Sequence, residues 1–447
     1  MNAPNSSSLS PERLRDLLEE ILTLARSGGA SEAEASLGAS DGLSVTARKG
    51  DIETLERTED RGLTVTVYRG RRKGSASTSD LRSAAVRETV SAALDIARYA
   101  DEDPFAGLAE PELMAYDYPD LDLDHPWDID IEEATRIAIE TERAALAYDP
   151  RVKQSDGASV SSGRSHRFYG NSHGFVGDYP ATRHGSSAIV LAEQDGAMQR
   201  DHWYTSSRDA RELDPPEAVG FRAAERAVRR LGARKVATEI VPVLFAPEAA
   251  RSLVGHFLAA ISGGSLYRRA SFLVGALGQP VFSSGISISE FPRRSGGAYG
   301  APFDLEGVAT ADRCLVRDGV LESYVLSAYS ARKLDLRPTG NAGGVRNVTV
   351  TGEARPLETL LSEMGRGFYV HELIGMGVNV VTGDYSRGAS GFWVEEGVIS
   401  HPVEEVTIAG NLRQMLASIL AVGEDVDRRG NIQTGSVLVE AMTLAGN

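Results

Sequence analysis

Cysteine is almost absent from this chain. Among 447 residues only Cys314 carries a thiol, so an intramolecular disulfide and any zinc site needing two or more thiolates are excluded. One thiol in so long a chain fits a reducing, cytoplasmic compartment. Long apolar runs are missing too. No stretch of about 18 apolar residues occurs, so no transmembrane helix is expected. The opening residues Met1 to Ser8 are polar and uncharged, without the basic start and apolar core of a signal peptide. Residues 1–9 are therefore expected to form a disordered tail. Positive charge is in deficit: 47 Lys and Arg stand against 63 Asp and Glu, a formal net charge of −16. Direct binding of duplex nucleic acid needs a basic face and is disfavoured.

The composition that remains is ordinary for a globular protein, with 42% hydrophobic and 25% charged residues. The length suggests about three domains, or two with one large. Such a chain buries roughly three quarters of its unfolded surface and needs no covalent or metal staple. The 46 glycines point to turns and strands rather than a helical bundle.

Ser10-Pro11-Glu12 reads as a helix start, with Ser as N-cap, Pro in the first turn and an acid at the positive end of the dipole. Leu14, Leu17, Leu18, Ile21 and Leu22 then recur at helical spacing until Gly28-Gly29. From residue 33 the period becomes two. Leu43, Val45 and Ala47 alternate with polar residues, Lys49-Gly50-Asp51 forms a turn, and Leu63, Val65 and Val67 alternate again. A second helix follows Asp80. The fold class expected is α+β: an N-terminal α+β domain with a small antiparallel sheet over 10–103, a mixed middle domain over 104–235, and a β-rich C-terminal domain over 236–447. Residues 101–130, rich in Asp and Pro, read as a linker. Helices are expected near 130–147 and 215–231, with short strands between. In the last domain Asp318-Gly319 marks a hairpin, and one late helix is expected near 411–423.

Most short motifs dissolve on inspection. His371-Glu372 would need a second His one turn later to hold zinc. Gly375 and Met376 stand there, and Gly375 and Gly377 oppose a helix; a turn or strand edge is expected. Gly170-Asn171-Ser172-His173-Gly174 has the spacing of a nucleophile elbow, but no helix signal follows it, so it reads as a tight turn. Asp120, Asp122 and Asp124 begin like a calcium loop, yet His125 and Ile131 occupy its glycine and closing-acid positions. Arg69-Gly70-Arg71-Arg72-Lys73 is the one dense basic run and reads as a solvated loop. His125, His166, His184 and His202 are scattered.

Longer strings carry a resemblance. They are Asp103-Pro104-Phe105-Ala106-Gly107-Leu108, Met198 to Thr205, Pro242 to Ala250, Tyr329 to Leu334 with Thr339 to Gly344, and Val381 to Trp393. In this order they resemble the TldD/PmbA family, and within it the PmbA branch, also called TldE, over nearly the whole chain. The resemblance implies a subunit of a cytoplasmic metallopeptidase acting on small or unfolded peptides. Its homologous TldD-type partner carries zinc on a His-Glu-x-x-x-His helix and a C-terminal Cys. The family also bears the label of a modulator of DNA gyrase. Carried onto this chain, the motif falls on Arg251-Ser252-Leu253-Val254-Gly255-His256. Arg251 stands at the first His, Ser252 at the Glu, and only His256 survives. Asn431 to Gly435, the matching C-terminal stretch, holds no Cys. Zinc needs about three protein ligands, and Arg251 puts a cation where the dication would sit. The expectation is therefore no catalytic residues, no metal and no cofactor in this chain, with zinc in the partner subunit. A heterodimer or higher assembly is expected, and a homodimer when the chain is isolated. Candidates for contact with an extended peptide or the cleft are Arg251, His256, Asn341, Gly343, Gly344, Asp384 and Arg387. The alternative is an interaction factor that acts without proteolysis.

Overall fold

The computed structural model describes residues 10–446; the expected tail over 1–9 lies outside them. The first helix, Pro11–Ser27, starts where the sequence signals place it, with the Ser10 hydroxyl accepting from the Arg13 N–H. It buries the leucine face read from its periodicity. Strands Glu32–Arg48, Asp51–Arg69 and Arg72–Thr78 follow as an antiparallel meander. Helix Ser83–Tyr99 then packs beside the first helix. Gly74 permits this contact, because a Cβ there would meet the Ala93 carbonyl oxygen at 2.1 Å.

The expected small sheet proves to be half of a larger one. Strand Glu32–Arg48 also pairs along its other edge with Val152–Asn171, from Glu34 opposite Asn171 to Ala47 opposite Ala158. Strands Val176–Gln194 and Ala197–Ser207 extend it to six strands, and the sheet therefore runs across residue 103. The middle strands are not short: Val152–Asn171 has 20 residues and Val176–Gln194 has 19. At a rise of about 3.3 Å per residue, each is on the order of 60 Å long. Gly170 to Gly174 is the turn between them, as its residues indicate.

Period-two alternation splits this sheet into two used faces. Ala33, Ala35, Leu37, Val65, Val67 and Phe168 point toward the two N-terminal helices. Farther along the same face, Val45, Ala47 and Val160 lie under helix Ile131–Ala147, and Ala188, Val190 and Ala192 under helix Pro216–Arg229. The opposite face carries Tyr169 into a cluster with Phe175, Phe303 and Ala328 of the C-terminal part.

The segment read as a linker is packed rather than free. Apart from a 3-10 turn at Pro111–Leu113 it has no regular structure, yet Ala106, Leu108, Ala109, Met114, Leu121 and Leu123 are buried. It is a strap between the sheet and the C-terminal part. The Arg332 guanidinium donates to the carbonyls of Phe105 at 3.2 Å, Gly107 at 3.0 Å and Leu108. Tyr329 donates its hydroxyl to Asp103 at 2.7 Å, and Lys333 lies 4.3 Å from the Phe105 ring centroid. Two of the family-like strings thus meet in space. The basic run lies at an exposed turn, as expected, and its side chains pair locally: Arg69 donates to the Gly28 carbonyl, Arg71 to the Ala106 carbonyl, and Arg72 pairs with Glu102 at the surface.

In the C-terminal part five strands close into a barrel. Strand Glu239–Phe245 pairs in parallel with Gly367–Ile374 and antiparallel with Val437–Ala445, and Asp384–Glu395 and Val398–Asn411 complete the ring. A second, five-stranded sheet includes the Asp318-Gly319 hairpin, whose two turn residues have φ of 47° and 82°. The helical content exceeds expectation. Pro247–Ala260, Gly263–Tyr267, Ala328–Leu334 and Leu357–Met364 are helices within the region read as β-rich. The late helix is shorter than expected, Leu412–Ala417, and the chain then becomes strand Ile419–Gly423, where β-branched Ile419 and Val422 favour extended backbone.

Replacing Arg332 with Met leaves three strap carbonyls without their charged donor. The expected cost is about 2–4 kcal/mol of stability. Limited proteolysis should then cut the strap between residues 103 and 118 well before the barrel. Unchanged unfolding and an uncut strap would show that apolar contacts alone hold it.

Candidate cleft at the degenerate metal motif

Helix Pro247–Ala260 begins with Pro247 and Glu248 after strand Glu239–Phe245 and drives Leu253, Val254 and Phe257 into the main core. That packing leaves Arg251, Ser252 and His256 on its less buried side. A cleft of about 310 Å³ lies against this helix. Its other walls come from the edge strand Ala197–Ser207, helix Pro216–Arg229 and Arg230 just beyond it, strands Gly367–Ile374 and Asp384–Glu395, and Arg429.

The helix and the C-terminal stretch do come together. A Cβ on Gly430 would meet the Arg251 guanidinium at 2.6 Å, and one on Gly255 would lie 3.9 Å from Ile432. Among the described residues, no group of three or more His, Cys, Asp and Glu could hold a metal ion. The donors present at the motif do not fit a dication. Arg387 donates to the Ser252 hydroxyl oxygen at 2.8 Å, and Ser252 lies 3.4 Å from His256 Nε2. Arg251 reaches the Tyr204 hydroxyl at 3.4 Å and Asp427 at 3.3 Å. Two guanidiniums and one imidazole offer a zinc ion repulsion and a single ligand. Burial, aided by the Arg387 charge, lowers the His256 pKa and keeps the ring neutral at pH 7.

A dense ion-pair network lines the rest. Arg226 donates to Asp201 and Glu248, both at 3.1 Å. Arg230 lies 2.8 Å from Glu372 and 3.4 Å from Asp201. Arg429 pairs with Asp427 at 2.9 Å and with Glu248 at 3.3 Å, and its guanidinium stacks 3.7 Å from the Trp203 centroid. Burial pushes Asp201 and Asp427 upward, but the adjacent arginines outweigh it and both carboxyls stay below their ordinary range. His371 sits in its strand between the Tyr369 and Phe392 rings, with Nε2 enclosed and unpartnered. Burial first, then Arg226 and Arg229, push its pKa down to about 3.

Of the residues singled out in the sequence, Arg251, Ser252 and Arg387 line this cleft, and His256 lies outside its lining, 3.4 Å from the Ser252 hydroxyl. Asn341, Gly343 and Gly344 do not line this cleft. Asn341 is buried and donates to both oxygens of Glu290 at 2.9 Å. Gly343, at φ 93°, gives way to the Leu305 side chain, and Gly344 closes the turn onto the Asn341 carbonyl. Asp384 is exposed and accepts from Thr382 within its own turn. Sequence reading passed over Arg226, Arg230, Trp203, Glu248 and Arg429. One signal was available: Arg222, Arg226, Arg229 and Arg230 recur at helical spacing, an arginine ridge that needs an acidic counterpart.

Three family models match this chain in succession: the PmbA/TldA metallopeptidase domain 1 over residues 33–97, the central domain over 124–231 and the C-terminal domain over 238–446. The chain belongs to the PmbA/TldD metallopeptidase family. It is 46% identical over 438 residues to Metalloprotease PmbA of Escherichia coli O157:H7, covering 97% of both chains. It is also 46% identical to a Metalloprotease PmbA homolog of Haemophilus influenzae, covering 100% of this chain and 99% of that one. Two solved structures share the architecture. A Bacteroides thetaiotaomicron protein, described as a candidate modulator of DNA gyrase, superposes with a TM-score of 0.92 at 26% identity, covering 98% of this chain and 100% of its own. TldE from Thermococcus kodakarensis gives 0.83 at 21% identity over 96% of this chain and 100% of its own, a likeness of fold.

The His371 ring binds a proton in the unfolded chain below about pH 6.5 but resists it in the folded chain until about pH 3. Protonation therefore favours unfolding, and this group removes stability as pH falls from 7 toward 5. Between those values the native protein should lose about 2 kcal/mol more than the His371→Gln variant. Parallel denaturant titrations at the two pH values check this; equal losses would mean that the ring takes up its proton freely in the fold.

Proposed function

We propose that this chain is a non-catalytic subunit of a two-component cytoplasmic metallopeptidase. It binds no zinc itself, pairs with a homologous TldD-type subunit that does, and helps enclose small or unfolded peptides around the partner's metal. The observation that carries this reading is the occupation of the motif helix by Arg251 and Ser252, with Arg387 drawn onto Ser252 at 2.8 Å. Neither a metal-ligand set nor a general base for water remains at that place. The metalloprotease names of the relatives support the family chemistry. Strand Ala197–Ser207, at the edge of the long sheet and in the wall of the cleft, supplies a strand edge suited to main-chain recognition of an extended peptide.

A second reading, an interaction factor without proteolysis, draws on the gyrase-modulator descriptions of the structural neighbours. With a net charge of −16 such a factor would meet another protein rather than DNA. No helix among the described residues is long and apolar enough to cross a membrane.

Metal analysis of the purified chain should give less than about one tenth of a zinc per chain. Cleavage of an unstructured peptide should occur only when the catalytic homologue is added, at a rate above that of the homologue alone. Stoichiometric zinc in the isolated chain, or peptide cleavage by it, would overturn the non-catalytic reading. A failure to form a complex or to stimulate cleavage would favour the interaction factor.

A further inference from the structure

The charges around the cleft are not evenly matched. Arg226 and Arg230 are each shared between two carboxylates, and Arg429 is shared between Asp427 and Glu248. Arg200, at the rim, pairs with Asp156 at 2.7 Å. Two guanidiniums are left with little. Arg251 has one carboxylate within reach, Asp427 at 3.3 Å, and that carboxylate already takes the two-pronged pairing of Arg429. Arg387 has no carboxylate within 4.0 Å among the described residues. Its contacts are the Ser252 hydroxyl and the Leu373 carbonyl, and its Nε is enclosed with no partner. A guanidinium withdrawn from water without an anion is costly, and a bound carboxylate would relieve it with paired N–H donors.

We propose that this cleft is a carboxylate-binding site, in which Arg387 and Arg251 clamp a carboxylate of a peptide ligand. The clamp rests on the reading that this chain meets peptides, and it names the group by which it would hold one. Tyr204 adds a hydroxyl at the Arg251 end and Ser252 one at the Arg387 end. The cleft favours a monoanion over a phosphate dianion. Asp201, Glu248 and Glu372 already line it, and each would repel a second negative charge on the ligand. Size agrees. The 310 Å³ cleft adjoins a second cavity of about 410 Å³, and Trp203, Arg226, Glu248, His371 and Arg429 line both, so a short chain end has room to enter.

The test uses the full chain and a fluorophore-labelled, uncharged ten-residue peptide in three forms: free acid, C-terminal amide, and amide bearing one Glu side chain. Fluorescence anisotropy at low salt should show the free acid binding at least ten-fold more tightly than the plain amide. Arg387→Gln and Arg251→Gln should each remove that preference, while Arg143→Gln, on helix Ile131–Ala147 and outside both cavities, should keep it. Recovery of affinity by the Glu-bearing amide marks a side-chain carboxylate as a ligand; no recovery marks the chain terminus. Equal binding of acid and amide, no binding of either, retained preference in either clamp variant, or stronger competition by inorganic phosphate than by acetate would each overturn the proposal. If partner-dependent peptide cleavage survives any of those results, the subunit reading stands and only the clamp fails.

Discussion

Taking a guanidinium out of water is costly unless an anion meets it, and that cost ties the two halves of this molecule together. Arg226, on a helix covering the long sheet, reaches Asp201 on the sheet's edge strand and Glu248 at the start of the motif helix. Arg429, from the C-terminal part, reaches Glu248 and stacks on Trp203 of the same edge strand. Removing any one member strands a partner charge in a partly dry interface, at a cost of about 3–5 kcal/mol for a buried pair. The network therefore sets the position of the motif helix against the sheet, and with it the positions of Arg251, Ser252 and His256.

Long-range geometry supports that local constraint. The six-stranded sheet presents one face to helices and the other to the C-terminal part, so it acts as the shared wall of both. The strap between them is held by Arg332. The cleft lies beside the last strand of the sheet, where helix Pro216–Arg229, the motif helix and the barrel converge. A site at such a junction is built from side chains far apart in the chain, and its shape depends on the docking of whole layers.

Positive charge gathers on the less buried side of helix Pro247–Ala260. The motif helix and the C-terminal stretch are adjacent, with Arg251 against Gly430. Electrostatically the position is inverted: a dication is repelled where an anion is attracted. His256 remains, neutral and half-buried, as one imidazole without companions.

Much of the architecture is legible in local pattern. Ser10-Pro11 starts a helix because a hydroxyl caps its free N–H groups, and alternation at Leu63, Val65 and Val67 makes a strand with one buried face. The residue types at Arg251 and Ser252 are also readable directly, and neither a guanidinium nor a lone hydroxyl is an ordinary zinc ligand. Other features are harder to read. Helix Pro247–Ala260 carries a proline start and an apolar spacing that could have been read, but the surrounding glycines and strands masked it. The six-stranded sheet joins Glu34 to Asn171 across 137 positions, and hydrogen bonds between backbones carry no sequence signature of their partners. The class of fold, the first helix start and the residue types on helix Pro247–Ala260 thus follow from nearby residues alone. Only the tertiary structure decided that Arg387 would lean on Ser252 and that Arg226 would be shared between Asp201 and Glu248. Charge pairing acts through space, and the folding of separate layers alone brings those groups within reach.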